Sequence, residues 1–304
     1  MTADAGGHCP GSPAGYVVAA NAAAGSSERS AIREAAGRLA EHAPTSVEWT
    51  DGDEAFDAVV AGLDGRRLVL AGGDGTFHFA LNRLAATGAL DQPVAVVPAG
   101  TGNDFARGIG LGADLLAAVE VVIEGAPRWY AALESNDGEL AHNNAHFGLG
   151  LVAAERGTAW KPRLRRLAYP VATVVEGLRY PGETLRVTVD GQQVHDGPTL
   201  AVLMLLGPSM GGGIEPIDGV ETTEPTAEVV VVEVPTAGGR AAMAVDALRD
   251  RLDRRDDVGR WTATSVTIGA DGPLRGDVDG EIREWSTEVN FRVRPRTWQV
   301  VSPR

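Results

Sequence analysis

Cysteine is nearly absent from the 304 residues: Cys9 stands alone. No disulfide can form within the chain, and nothing points to an oxidising compartment. Lysine is equally scarce, with Lys161 the single example, so arginine supplies the other cations. Lys and Arg total 27 against 41 Asp and Glu, a formal net charge of -14. Such a deficit of positive charge argues against a general nucleic-acid binder, which needs a basic stripe to meet phosphates. Strong negative charge suits a salt-adapted protein; biased composition in a GC-rich genome accounts for the abundant Arg, Ala, Gly and Val equally well. Long apolar runs are missing too, none reaching the roughly 20 residues that a bilayer-crossing helix needs. The N-terminus carries Asp4 and neither a basic start nor an apolar core, so it does not read as a secretory signal. A cytoplasmic protein without a transmembrane segment is expected.

What is present is a change of pattern along the chain. Up to about residue 130, short apolar runs alternate with amphipathic stretches, as strands and helices do in turn. Strands are expected at Tyr16–Ala20, Val47–Thr50, Arg67–Ala71 and Val94–Val97. Helices are expected at Glu28–His42, with Ser26 and Ser27 as N-caps, at Asp53–Leu63 and Thr76–Ala86, and from Asp104 and Asp114 onward. Alternation at this spacing implies a parallel sheet covered by helices. Beyond about Trp129 the chain is β-rich, with strands expected at Leu185–Val189, Thr199–Leu206, Glu228–Val234, Ser265–Ile268 and Glu288–Val293. Two helices, about Arg163–Arg179 and Arg240–Arg255, interrupt this half. The fold class is therefore an α/β N-terminal domain with a parallel sheet (1–130) plus a mainly antiparallel β C-terminal domain (131–304). The last strand is a candidate to return to the first domain.

Chemistry concentrates where strands end. Val69-Leu70-Ala71-Gly72-Gly73-Asp74-Gly75-Thr76 runs from a buried strand through a glycine turn into a helix. Glycines let backbone approach a phosphate, and a helix start turns N–H groups and a positive dipole end toward it. Asp74 is unfavourable among phosphates unless it meets a metal or orders the loop. A plain tight turn with Thr76 as N-cap fits the same residues. The next strand, however, ends in Pro98-Ala99-Gly100-Thr101-Gly102-Asn103-Asp104-Phe105-Ala106-Arg107. The first ends in Asn21-Ala22-Ala23-Ala24-Gly25 and the second in Thr50-Asp51-Gly52-Asp53. Loops after successive parallel strands emerge on one edge, where ligands bind. Four small polar loops there favour a site over four unrelated turns.

The pair of motifs GGDGT and PAGTGNDFAR resembles the catalytic domain shared by diacylglycerol kinases, sphingosine kinases and bacterial soluble lipid kinases, within a superfamily that includes NAD kinases. The likeness continues through Asn143-Asn144-Ala145, Phe147-Gly148-Leu149-Gly150, Tyr169, Gly211-Gly212-Gly213 with Pro216, and Val278-Asp279-Gly280-Glu281. The resemblance implies a Mg-ATP-dependent lipid kinase whose nucleotide lies on Gly72, Gly73, Asp74, Gly75 and Thr76, faced by Thr101, Gly102, Asn103 and Asp104. Asn21 matches the Asn of the family's first loop, and Thr50, across a one-residue gap, the Thr after its second strand. Glu281 matches the carboxylate that accepts the alcohol's proton. Taken alone, Asp279-Gly280-Glu281 reads as a hairpin turn. Implied partners are ATP, magnesium and a lipid at the inner membrane surface, with a homodimer as a candidate assembly.

Two departures stand out. The family follows GGDGT with a hydrophobic residue and then Asn-Glu, whereas here Phe77 precedes His78 and Phe79. His78 is expected on the helix surface, with substitution for the Asn as a donor left open. Bacterial members hold a structural magnesium on an Asp-Gly-Leu loop of the second domain. In this chain spacing points to Glu224 for that role and Asp-Gly chemistry to Asp218. Lys161, Arg163, Arg165 and Arg166 form the one dense cationic run, a candidate for anionic head groups or simply a solvated helix face. The acceptor is expected to be a diacylglycerol-like alcohol or, in a salt-loving archaeon, an isoprenoid ether lipid alcohol. Kinase action on a soluble alcohol or nucleotide, and a nucleotide-binding regulator that has lost catalysis, are the alternatives.

Overall fold

A computed structural model describes residues 13–112, 114–149, 151–152, 180–234 and 255–304, together with positions 236, 239, 243 and 246. The expected helix at Arg163–Arg179, the Lys161–Arg166 run and Tyr169 lie outside the described residues, as does nearly all of the expected helix at Arg240–Arg255.

The N-terminal half alternates as expected: β1 Tyr16–Asn21, α1 Ser26–Ala40, β2 Thr45–Thr50, α2 Asp53–Ala61, β3 Arg67–Gly72, α3 Asp74–Ala86 and β4 Val94–Pro98. The short α4 Asp104–Gly108 and α5 Leu115–Glu124 follow. The four strands pair in parallel in the order β2-β1-β3-β4. Successive strand residues point to opposite faces, and both faces are covered. Val17, Ala19, Leu68 and Leu70 pack with Phe56, Phe77, Leu81 and Leu84 of α2 and α3. Tyr16, Val18, Ala20, Val69 and Ala71 pack with Ile32 and Leu39 of α1 and Val119 and Val122 of α5. That two-sided burial explains why these strands read as continuous apolar runs.

Two helix starts differ from expectation. Gly25, in extended backbone and without a side-chain cap bond, occupies the N-cap of α1 in place of Ser26 or Ser27. The Arg29 side chain folds back instead onto the carbonyls of Ala22 and Ala24. Likewise Gly73 is the N-cap of α3, so Asp74, Gly75 and Thr76 form its first turn and Thr76 is not the cap.

The second half is an antiparallel β sandwich. It is built from β5 Ala126–Ser135, β6 Leu140–Ala141, β7 Asn144–Gly148, β8 Glu183–Val189, β9 Gln192–Leu205, β10 Ala227–Glu233, β11 Val258–Ala263, β12 Ser265–Ala270, β13 Leu274–Val278, β14 Glu281–Trp285 and β15 Glu288–Ser302. β15 is the seam. Its first half pairs with β12, β5 runs antiparallel along it, and Val300 lies parallel beside Val94 of β4. Trp298 of β15 stacks on Phe105 of α4, ring centroids 5.3 Å apart, so the returning strand also closes the core behind the second glycine loop.

Candidate active site

The carboxyl ends of the parallel strands meet the sandwich at a cleft of about 920 Å³. Its floor is built by the two glycine loops. The Gly72 carbonyl accepts hydrogen bonds from the Ala99 amide at 2.8 Å and the Gly100 amide at 3.2 Å. A methyl group on Gly100 would sit 2.5 Å from the Gly73 Cα, a separation that no side chain tolerates against backbone. Glycine is thus required at this crossing for close approach, not for turn geometry. Asn103, in left-handed backbone with φ of 56°, donates from its side chain to the Gly100 carbonyl at 3.0 Å and fixes the second loop. Gly100→Ala is expected to part the loops and lower stability by roughly 1–3 kcal/mol, the usual cost of overpacking; a thermal melt checks this.

Asp74 orders the floor. Its Oδ1 accepts the Phe105 amide at 3.1 Å, which ties the first turn of α3 to α4. Burial pushes this carboxyl above its ordinary range, opposed by the His142 ring and reinforced by Asp104. Asp104 looks the other way: it accepts from the Ser209 hydroxyl at 3.0 Å and the Gly212 amide at 2.8 Å, joining the second loop to the Gly211-Gly212-Gly213 segment. The first-turn amides of a helix have no intrahelical acceptor. In α3 these belong to Asp74 and Gly75, both of which line the cleft. An anion placed there meets N–H groups and the positive end of a dipole.

Of the residues singled out from the sequence, Asn21, Thr50, Gly73, Asp74, Gly75 and Thr76 line the cleft. So do Thr101, Gly102, Asp104 and Glu281. Asn21 and Thr50 are register partners on β1 and β2. Gly72 and Asn103 stand just behind the lining, where they brace it. Asp218 and Glu224 do not join the cleft. Both are exposed, and no group of three or more His, Cys, Asp or Glu among the described residues is arranged to hold a metal.

Glu281 begins β14 immediately after the turn formed by Asp279 (φ 52°) and Gly280 (φ 94°). Two positive φ values at the centre of a two-residue loop are the mark of a hairpin whose turn matches strand twist. The hairpin and the site are therefore the same feature: the turn is what presents Glu281 to the cleft. Its side chain remains 53% exposed, with Arg283 at 3.9 Å.

Asp279 is the centre of the roof. Its side chain is fully buried and accepts the amides of His142 at 2.7 Å, Asn143 at 3.0 Å and Asn144 at 2.9 Å. Burial alone would raise this carboxyl, but the His142 ring and the bond from His78 more than reverse that and hold it at about 2. His78 is not on the helix surface, which corrects the expectation. It faces inward from α3, 5% exposed, with Nδ1 3.1 Å from Asp279 and Nε2 3.1 Å from Glu139. Burial opposes its charge, yet the bonds to these two carboxylates win and raise it to about 9. Phe79, the other departure, meets Phe56 edge-on at 5.5 Å along the cleft wall. Sequence reasoning passed over Glu139, His142, His146, Asp277 and Arg283. The polar run His142-Asn143-Asn144 ahead of an apolar strand was the available signal.

A parallel sheet with a helix start that turns its first amides into the cleft, faced by an antiparallel sandwich that lowers a carboxylate toward it, defines a class of two-domain proteins with an anion-binding cleft between an α/β layer and a β sandwich. The sequence comparisons narrow the class. Residues 15–133 match the diacylglycerol kinase catalytic domain, and residues 144–302 match the YegS C-terminal NAD kinase beta sandwich-like domain. The chain belongs to the diacylglycerol kinase-like family of lipid kinases. It is 28% identical over 226 residues to a diacylglycerol kinase of Staphylococcus carnosus, covering 72% of this chain and 71% of the relative. A crystal structure of a diacylglycerol kinase from Bacillus anthracis superposes with a TM-score of 0.72 at 18% identity, over 95% of this chain and 97% of that one. Yeast NADH kinase complexed with NADH gives 0.52 at 14% identity, over 98% and 88%. Both structural likenesses concern the fold. No helix among the described residues is long and apolar enough to cross a membrane.

Proposed function

We propose that this chain transfers the γ-phosphate of Mg-ATP to the hydroxyl of a lipid alcohol, diacylglycerol-like or an isoprenoid ether lipid, at the inner membrane surface. The observation that carries the reading is that one cleft holds both halves of the chemistry: the interlocked glycine loops with the free amides of α3, and the half-exposed Glu281 above them.

In this reading the ATP phosphates rest against Gly73, Asp74, Gly75 and Thr76, with Thr101, Gly102 and Asp104 opposite. Asn21 and Thr50 border the nucleotide on the β1–β2 side, and Gly72 and Asn103 hold the loops that make the floor. The acceptor enters from the sandwich side. Glu281 takes the hydroxyl proton as the oxygen forms a bond to the γ-phosphorus and the bond to the β–γ bridging oxygen breaks, releasing ADP. Magnesium bound to ATP would supply neutralisation of phosphate charge. The loop amides stabilise the transferring group because they are fixed in advance of it.

Incubation with γ-labelled ATP and a panel of lipid, NAD and sugar acceptors tests this. Label on the lipid alcohol is expected. Label on a soluble acceptor alone would contradict the lipid reading, and calorimetric Mg-ATP binding without any transfer would make the chain a nucleotide-binding regulator.

A further inference from the structure

His78 has no part in the chemistry just described, yet its ring contacts two carboxylates of the second domain. From α3 it bridges Asp279, in the β13–β14 turn, and Glu139, in the β5–β6 turn. Glu139 in turn takes a two-pronged bond from Arg283, at 2.7 Å from Nε and 2.5 Å from Nη2. Arg283 stands 3.9 Å from Glu281. A continuous run of alternating charge therefore links the phosphate-loop helix to both ends of the turn that presents Glu281: Asp279, His78, Glu139, Arg283, Glu281.

We propose that His78 is a positioning residue, an imidazolium clamp between Asp279 and Glu139 that locks the Glu281 hairpin onto the phosphate-loop helix α3. Only the doubly protonated ring donates from both nitrogens at once. A neutral ring can keep one of the two bonds and must break the other. Asn82, one turn further along α3, has its side-chain nitrogen 3.0 Å from the His78 carbonyl and 2.9 Å from the Leu140 carbonyl, and 3.5 Å from the His78 ring. It steadies the same junction without charge. The other titratable groups facing the ring are His142, ring centroid 6.5 Å away, and, beyond Glu139, Arg283. Neither bonds to the ring in place of a carboxylate. The raised affinity of His78 for its proton agrees with the geometry and places the release of the clamp near pH 9.

The consequence for catalysis rests on Glu281 acting as the base, but the clamp itself is tested without turnover. Hydrogen exchange of peptides spanning 277–285 and 139–146 is followed at pH 6.5 and 9.5 and corrected for the intrinsic pH dependence. In the unaltered protein, protection of both segments is expected to fall roughly tenfold at the higher pH. In His78→Gln it is low at both. Glu281→Gln keeps the exchange of the parent, so a failure of the proposed mechanism leaves this test intact. Protection independent of pH in the unaltered protein, or equal in parent and His78→Gln, overturns the clamp. Should His78→Gln fold poorly, the parent's two-pH comparison decides alone.

Discussion

Under the proposed mechanism, Glu281→Gln is expected to lower kcat by about 10²–10⁴-fold, the range removed with a general base, and to change the Kd for Mg-ATP by less than about twofold. The amide keeps the shape of the side chain and loses only its ability to take a proton. The phosphate floor lies on loops that Glu281 does not support: among the described residues its one ion pair is with Arg283, at 3.9 Å. Half-exposed surface positions of this kind alter stability by no more than about 0.5 kcal/mol, so Tm should hold. Steady-state turnover, calorimetry of ATP binding and a thermal melt on the same preparation separate the three effects. A fall in ATP affinity or in Tm that matches the loss of rate would mean that Glu281 builds the site rather than working in it.

Asp279→Ala has the opposite profile: it unmakes the roof. Three backbone amides and one imidazolium converge on this carboxylate, which is fully buried. Its removal leaves buried donors unpaired and a buried cation half compensated, a loss of about 3–5 kcal/mol. For a chain of this size that corresponds to a Tm lower by about 5–8 °C. The double variant Asp279→Ala, His78→Gln should lose less than the sum of the two single variants, because the second change removes the stranded charge. Additive losses in a thermal-melt cycle would show that the two side chains do not share one interaction.

The same pair sets a pH dependence. His78 binds its proton more tightly in the folded chain, near 9, than in the unfolded chain, near 6.5. Its contribution is therefore complete below pH 6.5 and is lost as pH rises through 9, on the order of 3 kcal/mol in all. The shift of Asp279 describes the same contact from the other side and is not added to it. Fully buried His146 runs the other way, its charge disfavoured chiefly by burial, so it costs stability as pH falls below 6.5. A Tm profile measured across pH 6–10 should descend on the alkaline side, and His78→Gln should flatten that limb.

The parallel strands and the glycine loops could be read from the sequence because their determinants are local: apolar runs buried on both faces, and glycines where two backbones cross. The strand ends at Asn21, Thr50, Gly72 and Pro98 lie within a residue of expectation. β5, β6, β7, β11, β13 and β14 were not foreseen as strands; in β5 the exposed Pro127 and Arg128 precede the buried stretch, which blurs the period. His78 was misplaced for a different reason. On α3 it is followed by Asn82 and Arg83, a polar neighbourhood, while the carboxylates that draw it inward are 61 and 201 residues away in the chain. Asp279 looked like a turn residue and is one. That its side chain also organises three amides of the β6–β7 connection is a tertiary fact with no local signature.

The proposed phosphoryl transfer to a lipid alcohol sets Glu281 above the glycine loops as the proton acceptor. It is tested most directly by incubating parent and Glu281→Gln proteins with γ-labelled ATP, magnesium and a host lipid extract, then partitioning the label between water and organic solvent. Label is expected in the organic phase with the parent and almost none with Glu281→Gln. Organic-phase label that is equal in the two proteins, or absent from both while a water-soluble acceptor is phosphorylated, would contradict it.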